Sequence, residues 1–125
     1  MRRKRVYLLT LAVIFLTISV SRVYSQNIPD RPVPPRLVND FAGMLNSEEA
    51  GRLERKLVAF NDSTSTQIAI VIVPTLDGYD ISDYAHRLVD KWGMGQKGKN
   101  NGVLIVVKPK TSESRGGAVI AAGLG

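Results

Sequence analysis

Apolar residues at Ala50, Leu53, Leu57 and Phe60 recur three or four positions apart, with Arg52, Glu54, Arg55 and Lys56 between them. That spacing predicts an amphipathic helix with one face turned to a core. Its start is marked by Asn46-Ser47-Glu48-Glu49, in which Asn46 or Ser47 caps and Glu49 completes a capping-box pattern with Asn46. Acids early and bases later suit the helix dipole. The run Asn-Asp-Ser-Thr-Ser-Thr at 61–66 favours turns and should end the helix. Residues 67–73, QIAIVIV, form a continuous β-branched apolar run closed by Pro74. Such a run reads as a strand buried on both faces, at an inner position of a parallel or mixed sheet.

A second helix follows, capped by Asp80. Ile81, Tyr84, Ala85, Leu88, Val89 and Trp92 make its apolar stripe, while Ser82, Asp83, His86, Arg87 and Asp90 make the opposite face. A glycine-rich loop at 93–102 leads into a second buried strand at 103–107. After Lys108-Pro109 a polar turn reaches Gly116-Gly117, and residues 118–122 read as a third strand, antiparallel to the second. Strand, helix, strand is a βαβ unit with its helix on one face. The first helix should cover a sheet face too. The expected fold is therefore α/β, an αβα sandwich around a small mixed sheet made of the βαβ unit plus an antiparallel strand.

The N-terminal quarter has a different texture. Arg2-Arg3-Lys4-Arg5 precede an apolar run at 8–20, and Val23-Tyr24-Ser25 offers a small residue for cleavage. This is the layout of a secretory signal, and the run falls short of the roughly 20 apolar residues of a spanning helix. Four prolines at 28–35 then impose an extended lead-in, because proline fixes φ and removes a backbone donor. The expected organisation is a signal peptide at 1–25, the lead-in at 26–36 and an α/β domain at 37–125. The expected location is the bacterial periplasm or envelope.

Composition narrows the chemistry. The formal charge of +6 comes from 17 Lys and Arg against 11 Asp and Glu, yet Arg2, Arg3, Lys4, Arg5 and Arg22 all lie in the leader. The remainder is nearly neutral, so no nucleic-acid footprint is present. With no cysteine there are no disulfides or thiolate sites, and a single histidine argues against a zinc centre or a Ser-His-Asp triad. Gly93, Gly95 and Gly98 satisfy G-x-G-x-x-G, and Gly93, Gly98 and Lys99 nearly satisfy a phosphate-binding loop. Both motifs need a strand before the loop and a helix after it. Here the order is reversed, and both are rejected.

Carboxylates are the better candidates. Asp77, Asp80 and Asp83 fall at the carboxyl end of the first strand of the βαβ unit, where ligands of open α/β sheets bind. The N-terminus of the first helix lies at the same end, so Asp40, just upstream, could join Asp77. Clustered carboxylate and amide oxygens suit calcium or magnesium. The plainer alternatives are that Asp80 only caps and Asp77-Gly78 only turns. Asn101, beside Gly102, lies at the opposite end of the sheet.

In order along the chain, Val38-Asn39-Asp40-x-Ala42-Gly43, Leu76-Asp77-Gly78, Ile81 with Tyr84-Ala85, Trp92-Gly93-x-Gly95, Asn101-Gly102-Val103-Leu104 and a final Gly-x-Gly resemble the TPM-domain family. The resemblance runs from Pro29 to the last residue. Family members continue past Gly-x-Gly with an acidic residue, a Thr/Ser-Asp pair and further helix, so the chain is expected to be an incomplete domain with an apolar face left uncovered. The resemblance implies an exported, often membrane-tethered module. Relatives are associated with phosphatase activity, divalent-cation binding and modulation of membrane proteins. Carried over residue by residue, the candidate ligands for Ca2+ or Mg2+ are Asn39, Asp40, Asp77 and Asn101. Two functions follow as expectations: a non-enzymatic envelope module that binds a membrane-protein complex, and a metal-assisted phosphatase acting on a small phosphate ester.

Overall fold

The computed structural model describes residue 3 and residues 6–11, 28–94 and 101–123. Most of the leader with its cleavage point, residues 95–100 of the glycine-rich loop and the terminal Leu124-Gly125 lie outside the described residues. The elements are β1 (Val38–Asp40), α1 (Ser47–Thr64), β2 (Gln67–Ile72), α2 (Ile81–Trp92), β3 (Gly102–Lys108) and β4 (Gly117–Gly123). They form one four-stranded sheet in the order β1-β2-β3-β4. β1 and β3 run parallel to β2, and β4 runs antiparallel to β3. The fold is thus mixed α/β, as the sequence pattern requires.

Local chemistry sets the boundaries. At the start of α1, the Asn46 side chain accepts from the Glu49 amide at 2.8 Å while Glu49 Oε1 accepts from the Asn46 amide at 3.2 Å. Two donors that a helix start would leave unpaired are thereby satisfied. α1 runs further into the polar stretch than turn preference suggests. Ser63 Oγ and Thr64 Oγ1 both donate to the Phe60 carbonyl, and the helix stops at Ser65 in the left-handed region, φ 59°. Asp80 Oδ2 caps α2 by accepting from the Ser82 amide. Gly93 closes α2 at φ 60°, its amide and that of Met94 reaching back to the Asp90 and Val89 carbonyls.

Register assigns each residue to a face. Asn39 sits opposite Val71 and Val71 opposite Val106, while Ala69 sits opposite Leu104 and Leu104 opposite Ala121. These side chains share one face, and α2 lies over its β3 and β4 part with Tyr84, Ala85, Leu88 and Val89, all buried. Val71, Val73, Tyr84, Leu88, Leu104 and Val106 are the largest side chains fully removed from solvent, each aliphatic one contributing about 1.5–3 kcal/mol. The other face carries Val38, Asp40, Ile70, Ile72, Ile105 and Ile120. There α1 packs over β1 and β2, touching neither β3 nor β4 nor α2. The helices accordingly flank the sheet on opposite sides. Beyond α1 the second face stays bare, with Ile120 71% exposed and Ala118 and Ala122 exposed beside it.

The lead-in docks on the domain. Trp92 Nε1 donates to the Pro29 carbonyl at 2.7 Å, Lys91 Nζ donates to the Ile28 carbonyl at 2.6 Å and pairs with Asp30 at 3.0 Å, and the Arg31 guanidinium donates to the Trp92 carbonyl at 3.0 Å. An extended segment is thus bound as a strap along the C-terminal end of α2.

The closest backbone approach lies where α2 leaves the sheet. A Cβ at Gly123 would collide with the Met94 carbonyl, whereas one at Gly117 would meet only the flexible tip of Ile81 at 3.3 Å. Gly123→Ala is expected to lower unfolding free energy by about 1–3 kcal/mol, the cost of overpacking, while Gly117→Ala should stay within about 0.5 kcal/mol of the parent. Urea unfolding of both variants checks this. Equal effects would mean that α2 does not hold Met94 against β4.

Candidate functional site

The three parallel strands end together, and the loops at that end carry the acids singled out in the sequence. Asp40 closes β1. Its Oδ2 accepts from the Leu45 amide at 2.7 Å and its Oδ1 from the Ala42 amide at 3.2 Å. The loop folds back over the carboxylate, with Gly43 supplying the positive φ of 67° that the reversal requires. Burial pushes the Asp40 carboxyl up, but the amides of Leu45, Met44, Ala42 and Gly43 together hold it below the ordinary value of 3.8. No second carboxylate is among the groups acting on it.

Asp77 occupies a different niche. It and Gly78 are the central residues of a turn closed by the Tyr79 amide and the Leu76 carbonyl at 3.0 Å, with φ of 51° and 85°. Positive φ at both positions is the type I′ pattern, which Asp-Gly serves with little strain. The Asp77 side chain is exposed, and its charge is felt by Tyr84. Burial first and Asp77 second raise the Tyr84 phenol above 10.0, so it remains a neutral donor at any ordinary pH.

Asn39 and Asn101 go elsewhere. Asn39 precedes Asp40 in a strand, so its side chain enters the opposite face of the sheet. It is 4% exposed, its amide donates to the carbonyls of Arg36 at 3.0 Å and Ile70 at 3.4 Å, and its Oδ1 is buried without a partner. Asn101 lies at the amino end of β3, where its amide donates to the Ser65 carbonyl at 2.6 Å and its own carbonyl accepts from Gln67. It fastens the α1–β2 junction to β3. The four candidate ligands therefore do not converge. Calcium takes six to eight oxygens, and among the described residues no group of three or more His, Cys, Asp or Glu side chains is placed to hold an ion. The residues present do not fit a shared cation.

Lys108 is a residue that pattern reading passed over. It ends β3 on the core-facing register of Leu104 and Val106, and only 8% of it is exposed. Its ammonium donates to Ser114 Oγ at 2.5 Å, the Arg115 carbonyl at 3.0 Å and the Pro109 carbonyl at 3.2 Å. All three N–H bonds are thus taken, and the polar β3–β4 turn is organised around them. Beside it lies an open cleft of about 510 Å3 walled by Thr75, Leu76, Gly78, Thr111 and Ser114. The alternation in β3 contains the signal, since a lysine two positions after Val106 must face inward. A larger cleft, about 700 Å3, opens on the other side of β1 between Arg36, Val38, Asp40, Ala50 and Glu54. Glu54 closes part of it by accepting from the Leu37 and Val38 amides at 2.9 and 2.7 Å.

With this geometry in view, comparison with known proteins is decisive at one level. The sequence profile of the TPM domain matches residues 38–123. The chain belongs to the TPM-domain family. Among solved structures, the NMR structure of the N-terminal domain of a protein from P. gingivalis superimposes with a TM-score of 0.60 at 28% identity, covering 71% of this chain and 54% of that one. The chain thus spans about half the length of that relative. No curated protein matches it. The TPM match begins at β1, so the strand that carries Asn39 and Asp40 is part of the family's domain and not of the lead-in.

Two outcomes follow. Because its folded-state pKa is lowered, Asp40 contributes stability that is fully present above its ordinary value of 3.8 and is lost as pH falls below that value through the lowered one. At pH 6, Asp40→Asn should cost about 1–3 kcal/mol, the loss of charge-assisted bonds to the loop amides, and the gap should shrink as pH drops below 3.8. Urea unfolding between pH 6 and pH 2.5 measures both, and parallel stability curves would deny Asp40 this role. Thermal melts in chelator and in millimolar calcium or magnesium should coincide. A rise of several degrees that Asp40→Asn and Asp77→Asn each abolish would show that the two carboxylates share an ion after all.

Proposed function

We propose that this TPM-domain protein is an exported envelope module that binds membrane-protein partners without turning over a substrate. The observation that carries this reading is the strap. The proposed leader ends at Ser25, and by Ile28 the chain is already fastened to Lys91 and Trp92. Any copy that retains its leader is held against the bilayer with almost no slack, beside the integral proteins it would engage. Apolar surface fits the same reading. Val33 is 94% exposed and Phe41 43% exposed, and both line a cleft of about 320 Å3 beside Asn39.

A phosphatase reading draws support from the cleft beside Lys108, whose Thr111 and Ser114 hydroxyls could receive a phosphate ester. It is weakened by the state of the groups it would need. The Lys108 ammonium is already fully bonded, with Ser114 Oγ as one of its acceptors, and Asp40 is engaged by its own loop.

Proximity labelling from the full-length protein in its native membrane should enrich integral membrane proteins, and Phe41→Asp should reduce that enrichment several-fold while leaving the circular dichroism spectrum unchanged. Recovery of the same background with both proteins would count against the binding reading. Turnover of a phosphate ester above buffer, abolished by Lys108→Met, would favour the enzyme.

A further inference from the structure

The two edges of the sheet are treated differently. The β1 edge is guarded, because Glu54 takes the amides of Leu37 and Val38 and the prolines of the lead-in run beside it. The β4 edge carries no guard in its own sequence, and α2 packs on one face of the strand. Among the described residues no strand pairs with its outer side, and its seven residues, Gly-Ala-Val-Ile-Ala-Ala-Gly, include no charge and no proline. Natural edge strands carry lysine, proline or a bulge to prevent pairing with another chain. Beta-branched and small residues without such guards are what strand addition requires.

The sequence of β4 also reads almost the same in both directions about Ile120. Gly117 mirrors Gly123, Ala118 mirrors Ala122, and only Val119 against Ala121 breaks the symmetry. A two-fold interface sets each residue against its mirror image, so an antiparallel pair of β4 strands centred on Ile120 would oppose like with like. On the face away from α2, the two Ile120 side chains, each 71% exposed in the single chain, would meet across the axis. Among the described residues no helix obstructs them, since α1 covers only β1 and β2 and α2 packs on the opposite face of β4.

We propose that β4 is a homodimerisation edge, through which a second copy of this chain pairs antiparallel about Ile120 and extends the sheet to eight strands. Residues on the axis lie opposite their own copies, with Cα atoms about 4.5–5.5 Å apart, within disulfide reach. Residues two positions away do not. Ala118 would face Ala122 of the other copy, and the two Ala118 residues would be roughly 13 Å apart along the strands.

The parent chain has no cysteine, so this register can be read directly. In the full chain under a mild oxidant, Ile120→Cys should form a disulfide-linked dimer and Ala118→Cys should not, whereas the double variant Ala118→Cys/Ala122→Cys should cross-link. Sedimentation of the parent should show a concentration-dependent dimer, and Ile120→Lys, which sets like charges opposite each other at an exposed position, should weaken it tenfold or more. A sedimentation profile that stays monomeric at all concentrations would overturn the proposal. So would equal cross-linking at positions 118 and 120, which would signify random collision.

Discussion

Everything in this domain is arranged around one packing contact, the apolar stripe of α2 laid on the face of β3 and β4 that carries Leu104, Val106 and Ala121. Both partners must be buried for either to be stable, because a sheet face and a helix stripe each expose apolar area that only the other can cover. Once this contact forms, the parallel pairing of β2 with β3 is fixed, since α2 must return the chain to the start of β3. The positions of the connecting loops follow. Residues 74–80 and 109–116 are brought to one end, and the Asn101 junction is sent to the other.

Against this frame, the polar groups are largely committed to architecture. Asp40 organises its loop, Asp77 turns the chain, Glu54 anchors β1, and Lys108 gathers the β3–β4 turn. Asp40, Glu54 and Lys108 spend their bonding capacity on backbone groups of the loops and strand ends they hold, while exposed Asp77 serves through its positive φ. That economy explains why this domain can carry several acids at the carboxyl end of its parallel strands without, among the described residues, grouping them into a chelate. It also shifts attention from side-chain chemistry to surface, where apolar residues lie open on the lead-in, on the β1 loop and on β4.

The sequence made much of this legible. Continuous β-branched runs and a stripe at three- and four-residue spacing located β2, β3 and α2, because burial on one or both faces writes itself into periodicity. β1 was not read as a strand. Val38–Asp40 is too short for alternation to register, and only pairing with β2 makes it one. Asn39 and Asp40 look like neighbours fit to share a ligand, yet a strand turns consecutive side chains to opposite faces. Lys108 escaped for the converse reason: an inward-facing lysine is visible only once the phase of β3 is known, and its partners come from a turn that periodicity does not describe. The family resemblance carried the expectation of an uncovered apolar face, and among the described residues Ile120 lies exposed on the face that α1 covers only over β1 and β2.

The strap has a consequence for how the chain comes into being. The groups that hold Pro29 and Ile28 belong to Trp92 and Lys91, 63 positions later. At a synthesis rate of about 5–20 residues per second, that separation is several seconds of translation. Throughout that interval the lead-in has nothing to dock on, and proline denies it a helix of its own. The lead-in therefore emerges as an extended, undocked stem, and the domain draws that stem against itself only after α2 has been made.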